Sequence, residues 1–164
     1  MFIFGIKKER KMNLEEGMKA PDFSLPDSQG IEVALSDFIG KNIILYFYPK
    51  DNTKGCTLEA VSFRDNYEKI QESNTIILGV SKDSIKSHIN FVNKHNLPFK
   101  LLSDSEGKIC ELYGVWKEKS MYGRKYMGIE RTTFLIDKEG TIMKIFPKVK
   151  VKGHVEEVIK YIQD

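Results

Sequence analysis

The side chains best placed for covalent chemistry stand together in the run Pro49-Lys50-Asp51-Asn52-Thr53-Lys54-Gly55-Cys56. The run follows an apolar stretch, residues 43–48, and precedes a helical pattern in which Ala60, Phe63, Tyr67 and Ile70 share one face. Cys56 therefore sits where a loop enters a helix. Unpaired N–H groups at a helix start favour negative charge, and the thiolate is the nucleophilic form of cysteine. A free thiol has a pKa of ~8.5, so little of it is ionised at neutral pH, and a reactive site must raise that fraction. Thr53 carries a hydroxyl that both donates and accepts, which suits it to orient a reacting oxygen, although most loop threonines are only turn residues. Pro49 has a fixed φ and no donor; it ends the strand and can shape the loop that shields the thiol. Glu59 falls in the first helical turn, where a carboxylate meets the helix dipole favourably.

A scaffold must hold these groups, and the hydrophobic periodicity outlines one. Residues 43–48 read as a buried strand closed by proline, followed by a helix near 57–71. Residues 75–80 make a second buried strand. A helix follows over 84–95, then a short extended segment at 100–103 and a helical pattern carrying Cys110. Strands at 132–136 and 141–146 flank the hairpin turn Asp137-Lys138-Glu139-Gly140, and a last helix runs from about 153. Before all of these, 23–35 reads as a hairpin with its turn at Asp27 to Gly30, and 36–41 as one short helical turn. The order implies an α/β domain with a mixed central sheet flanked by helices and an N-terminal β-hairpin. Residues 18–164 form that domain. Residues 1–17 read as an N-terminal extension, and Met12 or Met18 are alternative points at which translation could begin.

Composition narrows the function classes. Hydrophobic residues are 41% and charged residues 30% of a 164-residue chain, which is long enough to bury a real core. The net charge of +3 is not gathered into a patch beyond Lys7-Lys8-Glu9-Arg10-Lys11, which reads as a solvated tail, so nucleic acid is not an expected partner. No run approaches the ~18 apolar residues of a membrane helix, and the apolar start precedes its charges, the wrong order for a secretory signal. The cytoplasm is the expected compartment. Two separated cysteines, Cys56 and Cys110, do not make a secreted disulfide framework, and Cys110 reads as a small buried hydrophobe. His88, His95 and His154 form no ligand pattern with the cysteines, so no metal is expected; Walker, Gly-x-Gly-x-x-Gly, Gly-x-Ser-x-Gly and Cys-x-x-Cys patterns are missing too.

Pro49, Thr53 and Cys56 after a hydrophobic strand resemble the active-site signature of the peroxiredoxins. The longer strings Tyr46 to Asp51 and Gly55 to Ala60 resemble the bacterioferritin comigratory protein branch, also called peroxiredoxin Q. Ala20-Pro21-Asp22-Phe23 with Leu25, Leu101-Leu102-Ser103-Asp104, and Gly128 to Asp137 agree in order and spacing, so the resemblance covers roughly residues 18 to 164. It implies a thioredoxin-like fold and a thiol-dependent peroxidase that needs no haem, flavin or metal. The substrate would be hydrogen peroxide or an organic hydroperoxide, and Cys56 would pass through a sulfenic acid. The protein would be a monomer or weak homodimer. By the same resemblance Arg131 supplies the cation that stabilises the thiolate, and Glu59 holds that arginine. Arg64-Asp65 reads as an ion pair on the helix, and Trp116 as core packing.

The chain departs from the branch in one respect. Many members carry a second cysteine five residues after the first, where this chain has Val61, and others carry it in the next helix, where residues 84–95 hold none. The expected cycle is therefore one-cysteine recycling by an external thiol, thioredoxin-like or small, with Cys110 as the alternative resolving group. A different class of reading is a non-catalytic thioredoxin-like redox sensor or holdase-type binding protein. Repeated peroxide turnover separates the two, because a sensor oxidises once and stops.

Overall fold

The computed structural model describes residues 13–163; residues 1–12, most of the expected N-terminal extension, and residue 164 lie outside the described residues. The chain opens with the expected hairpin of β1 (Ser24–Pro26) and β2 (Glu32–Ala34). Asp27 closes its turn by accepting from the N–H groups of Gln29 and Ile31 at 2.8 and 3.0 Å, a local bond that aspartate makes readily. A short 3-10 turn at Leu35–Phe38 leads to β3 (Asn42–Phe47), α1 (Lys54–Asp65), α2 (Tyr67–Glu72) and β4 (Thr75–Ser81). Then come α3 (Ile85–His95), β5 (Lys100–Ser103), α4 (Lys108–Leu112), β6 (Trp116–Met121) and β7 (Arg124–Ile129). The chain ends with β8 (Thr132–Ile136), β9 (Ile142–Phe146) and α5 (His154–Gln163).

Five strands form the central sheet in the order β5-β4-β3-β8-β9. β3, β4 and β5 are parallel to one another, while β8 runs antiparallel to β3 and to β9. β3 is the middle strand, and its sequence accounts for its place. Residues 43–47 are all buried, which requires cover on both faces of the sheet. Side chains alternate across a strand, so Ile43, Leu45 and Phe47 enter one apolar cluster and Ile44 and Tyr46 another on the opposite face. Phe23 just before β1, the hairpin β1–β2 and α4 contribute Phe23, Leu25, Val33 and Cys110 to the first cluster. α1, α3 and α5 contribute Cys56, Phe63, Phe91, Val155 and Val158 to the second. Gly79 in β4 is needed for this packing: a Cβ there would lie 2.9 Å from Cζ of Tyr46 and 2.8 Å from Cδ2 of Leu101.

Two features differ from the expectation. The helix expected over 57–71 begins at Lys54 and is broken at Asn66, whose backbone (φ −111°, ψ 13°) leaves the helical region. The Asn66 side chain donates to the Ser62 carbonyl at 2.8 Å, a local bond that competes with the helical ladder. The apolar face continues across the break, which is why periodicity alone reads one helix. The second difference is the hairpin β6–β7, absent from the sequence reading. It turns at Tyr122 and Gly123, both at positive φ (53° and 79°), as tight hairpin turns require.

Smaller expectations can be placed directly. Residues 14–17, assigned above to the extension, lie against β9: the Gly17 N–H donates to the Ile142 carbonyl at 2.8 Å, and Glu16 accepts from the Ile145 N–H at 3.1 Å. Arg64 and Asp65 do pair, at 3.0 Å on the exposed side, where such a pair adds little. Arg64 also donates to the His95 carbonyl at 2.7 Å and so ties α1 to the end of α3. Trp116 is half-buried against the core, with the Lys82 ammonium 4.2 Å from its ring centroid. Among the described residues no helix is long and apolar enough to cross a membrane.

Candidate active site

Thr53 is the N-cap of α1 in extended conformation (φ −85°, ψ 159°), which places Cys56 within the first helical turn. The side chains on the buried face of this helix are Cys56, Glu59, Ala60 and Phe63. Cys56 is 1% exposed and Glu59 0%. Arg131 enters from the segment between β7 and β8. Its Nη1 donates to Oε1 of Glu59 at 2.7 Å, and its Nη2 donates to Sγ of Cys56 at 3.5 Å. The guanidinium fork thus spans a carboxylate and a thiol, which a single-point ammonium cannot do. Gly55 allows this approach, since a Cβ there would lie 3.1 Å from Nη2 of Arg131.

The electrostatics follow from burial. Burial opposes the charge of Arg131, but Glu59 and Cys56 more than offset it and hold its pKa above the ordinary value. Glu59 is pushed up to about 7 by burial, against the pull of Arg131. Its second oxygen, Oε2, has no hydrogen-bond partner in the interior, and neither has the hydroxyl of Tyr46. Lys119 on β6 is half-buried; burial and then the charge of Arg131 push its ammonium down, while Cys56 pulls the other way. The sequence carried no signal for Lys119, because its neighbours on β6 are polar on both faces.

Of the other residues singled out above, Thr53 and Pro49 stand on the loop that feeds α1. Thr53 is exposed, and its hydroxyl donates to the Lys50 carbonyl at 2.9 Å, which leaves its lone pairs to accept. Pro49 is half-buried, two residues beyond the end of β3. Cys110 lies in the apolar cluster on the other face of the sheet from Cys56. Its N–H donates to Asp104 at 2.8 Å, and burial, reinforced by Asp104, pushes its thiol well above the ordinary range. The sequence reading missed a third cluster. Asp51, Asp83 and His88 bring one ligand-type atom each to within 4.8 Å of one another, and hydrogen bonds among these residues and their neighbours already engage those atoms.

The raised Glu59 makes stability depend on pH in a definite direction. The folded protein keeps a proton on Glu59 up to about pH 7, whereas the unfolded chain releases it near 4.5. This contribution is therefore complete below the unfolded value and is lost as pH rises through the folded one. At about 1.36 kcal/mol per pH unit the difference is on the order of 3 kcal/mol. Glu59→Gln keeps an acceptor for Arg131 and cannot ionise. Urea midpoints of wild type and variant between about pH 5 and pH 8 should converge at the acid end and separate above neutrality, with wild type falling. Parallel curves would show that Glu59 does not titrate in this range.

Comparison with known proteins agrees with the geometry. The AhpC/TSA family profile matches residues 17–145. A putative peroxiredoxin Bcp of Coxiella burnetii is 55% identical over 148 residues, covering 90% of this chain and 98% of the relative. Peroxiredoxin Bcp of Bacillus subtilis is 54% identical over 153 residues, covering 93% and 98%. The solved bacterioferritin comigratory protein of Xanthomonas campestris, described for its alkyl peroxide reduction activity, superposes with a TM-score of 0.85 at 38% identity, covering 91% of this chain and 98% of that one. The chain belongs to the AhpC/TSA family, in its bacterioferritin comigratory protein or peroxiredoxin Q branch, and is a thiol-dependent peroxidase of thioredoxin-like fold.

Proposed function

We propose that Cys56 is the peroxide-reducing thiol and that an external thiol regenerates it. The observation that carries the assignment is the 3.5 Å approach of Arg131 to Sγ of Cys56, with Glu59 anchoring the other arm of the guanidinium at 2.7 Å. The Cys56 thiolate attacks the distal oxygen of a peroxide ROOH. The O–O bond breaks, the S–O bond forms, and the leaving RO⁻ takes a proton, giving Cys56 sulfenic acid and ROH. Arg131 lies where it can stabilise both the thiolate and the charge moving onto the leaving oxygen. Thr53, with its own proton committed to Lys50, accepts from the peroxide O–H. Pro49 shapes the loop, and Glu59 acts through Arg131 as a positioning residue. Alkyl hydroperoxides join hydrogen peroxide as substrates by analogy with the Xanthomonas relative.

In the second half of the cycle a thiol R′SH attacks the sulfenic sulfur, releasing water and leaving a Cys56–S–S–R′ mixed disulfide. A second R′SH then frees Cys56 and leaves as R′S–SR′. Cys110 is poorly placed for this step. A disulfide needs Cα atoms within about 7 Å, and the central sheet stands between the two cysteines. The half-buried Val61 holds the position at which many members carry the partner thiol. A thioredoxin-like protein or a small thiol in the cytoplasm fits this chemistry, with the enzyme acting as a monomer or weak homodimer.

Intact-protein mass after one equivalent of peroxide, with and without added thiol, tests the scheme. The oxidised protein should carry one oxygen on Cys56, or the added thiol as a mixed disulfide. Cys110→Ser should keep most of the turnover. A stoichiometric Cys56–Cys110 disulfide by peptide mapping, with turnover lost in Cys110→Ser, would overturn the one-cysteine cycle and leave the peroxidase assignment standing.

A further inference from the structure

The segment between β9 and α5 reads Pro147-Lys148-Val149-Lys150-Val151-Lys152-Gly153. Its two valines are half-buried, and Val149 packs against the apolar cluster that holds Cys56. Its three lysines are exposed. With Lys160 of α5 they line an open groove of about 670 Å³, to which Lys144, Glu156 and Glu157 also contribute. The whole chain holds 26 basic and 23 acidic residues, so 21 of each remain outside the groove and its five lysines and two glutamates carry the net charge of +3. The expectation that the excess charge forms no patch beyond Lys7–Lys11 therefore does not hold in the fold. Among the described residues Lys148, Lys150, Lys152 and Lys160 pair with no carboxylate, while Lys144 meets Glu16 at 3.7 Å. Glu156 and Glu157 have a local reason for their place, the first turn of α5, where carboxylates meet the helix dipole favourably. Lys148, Lys150 and Lys152 have the opposite: they precede the end of a helix that disfavours cations, and they repel one another.

The groove adjoins the active site. The Val149 N–H donates to the carbonyl of Arg131 at 2.9 Å, and Val155 and Val158 of α5 pack in the same cluster as Cys56. It lies beside the cysteine and not over it, since neither Cys56 nor Arg131 is among the residues that line it. A small anion held there would stay away from the sulfur. An occupant that acts on Cys56 must cover both places, which takes a macromolecule. A nucleic-acid backbone would bring phosphates against Glu156 and Glu157, whereas a protein surface can pair those carboxylates and also cover the exposed ring of Tyr161. We infer that this groove docks the acidic face of the protein that carries the reducing thiol. The inference rests on Cys56 being the reacting thiol and on its regeneration by an external one. The docked protein's thiol attacks the sulfenic sulfur, water leaves, and the mixed disulfide forms. The lysines take no part in these bond changes; they raise the rate of encounter and fix its orientation.

Peptide thiols of opposite charge test this. The full-length protein is oxidised with hydrogen peroxide and then mixed with a glutamate-rich peptide, a lysine-rich peptide of equal length, or the uncharged dithiothreitol. Each peptide carries its cysteine at the end of a neutral spacer, and the reaction of the sulfenic acid is followed by rapid-quench intact mass. At low ionic strength the glutamate-rich thiol should react about tenfold or more faster than the lysine-rich one, and added salt should shrink the difference. In Lys150→Gln/Lys152→Gln/Lys160→Gln the preference should largely vanish, while the rates of peroxide oxidation and of reduction by dithiothreitol stay as in wild type. Lys148 is left in place because its backbone is left-handed (φ 49°). A preference that survives in the triple variant overturns the groove as its source, and equal rates for the two peptides in wild type overturn the acidic partner. An oligonucleotide that binds wild type more tightly than the glutamate-rich peptide, and not the variant, would assign the groove to nucleic acid instead. A wild-type dimer in sedimentation that the variant lacks would assign it to a second copy of the chain. Each of these results leaves Cys56 as the reacting thiol. Absence of added oxygen on wild-type Cys56 after peroxide would overturn that underlying assignment and this inference with it.

Discussion

Cys56→Ser should abolish peroxide reduction and leave the fold as it is. The reaction needs a nucleophile that can become a sulfenic acid, and no other thiol of the chain is in a position to replace it. Cys110, the second cysteine, is buried on the opposite face of the sheet, and its surroundings hold it as the unreactive thiol. Serine is smaller by little and occupies a site that is already enclosed, so the packing of Ala60 and Phe63 on the same helix face is preserved. The expected result is multiple-turnover peroxide consumption, in the presence of a recycling thiol, falling to the background rate of the thiol alone. Thermal melting by circular dichroism should remain close to wild type. Peroxide consumption by Cys56→Ser at near wild-type rate would place the chemistry elsewhere in the chain. Wild-type protein that oxidises once and then stops despite excess thiol would point instead to a sensing role within the family.

Much of this arrangement is legible in the sequence because it rests on local patterns. The strand ending at Pro49, the helix behind Cys56 and the hairpin turn at Asp137 each follow from periodicity and turn chemistry over a few neighbouring residues. The hairpin β6–β7 does not: its residues are polar or exposed on both faces except near Trp116 and Ile129, so no apolar alternation marks it. Its turn, Tyr122-Gly123, lacks the Asn-Gly or Asp-Gly pair that usually announces one. The contact of Glu59 with Arg131 joins residues 72 apart in the chain, and that of Asp51 with His88 joins residues 37 apart. Neither follows from spacing. The first was expected only through the family resemblance, and the second had no signal at all, since a lone histidine on a helix and an aspartate in a loop are ordinary residues until the β3–β4 pairing sets their elements side by side.

Arg131→Met should slow peroxide reduction by ~10²-fold or more, as the loss of preorganised charge at a reacting centre does. The variant keeps the length and much of the apolar stem of the side chain and removes the fork that reaches both Glu59 and Cys56. Alkylation of Cys56 by iodoacetamide at neutral pH should slow in parallel, because the same N–H stabilises the thiolate before any peroxide is bound. Arg131→Lys should recover only part of the rate. One ammonium cannot hold the Glu59 carboxylate at 2.7 Å and the thiol at 3.5 Å in the geometry of a planar guanidinium. A loss of stability must be separated from this effect, since removing one partner of a buried pair leaves the other uncompensated. Glu59 can take up a proton, so the cost is limited, and the double variant Glu59→Gln/Arg131→Met removes it. That double variant should melt closer to wild type than Arg131→Met alone and remain as slow with peroxide. Recovery of the peroxide rate together with stability would mean that Arg131 supports only the fold; unchanged alkylation and an unchanged peroxide rate in Arg131→Met would remove it from the reaction altogether.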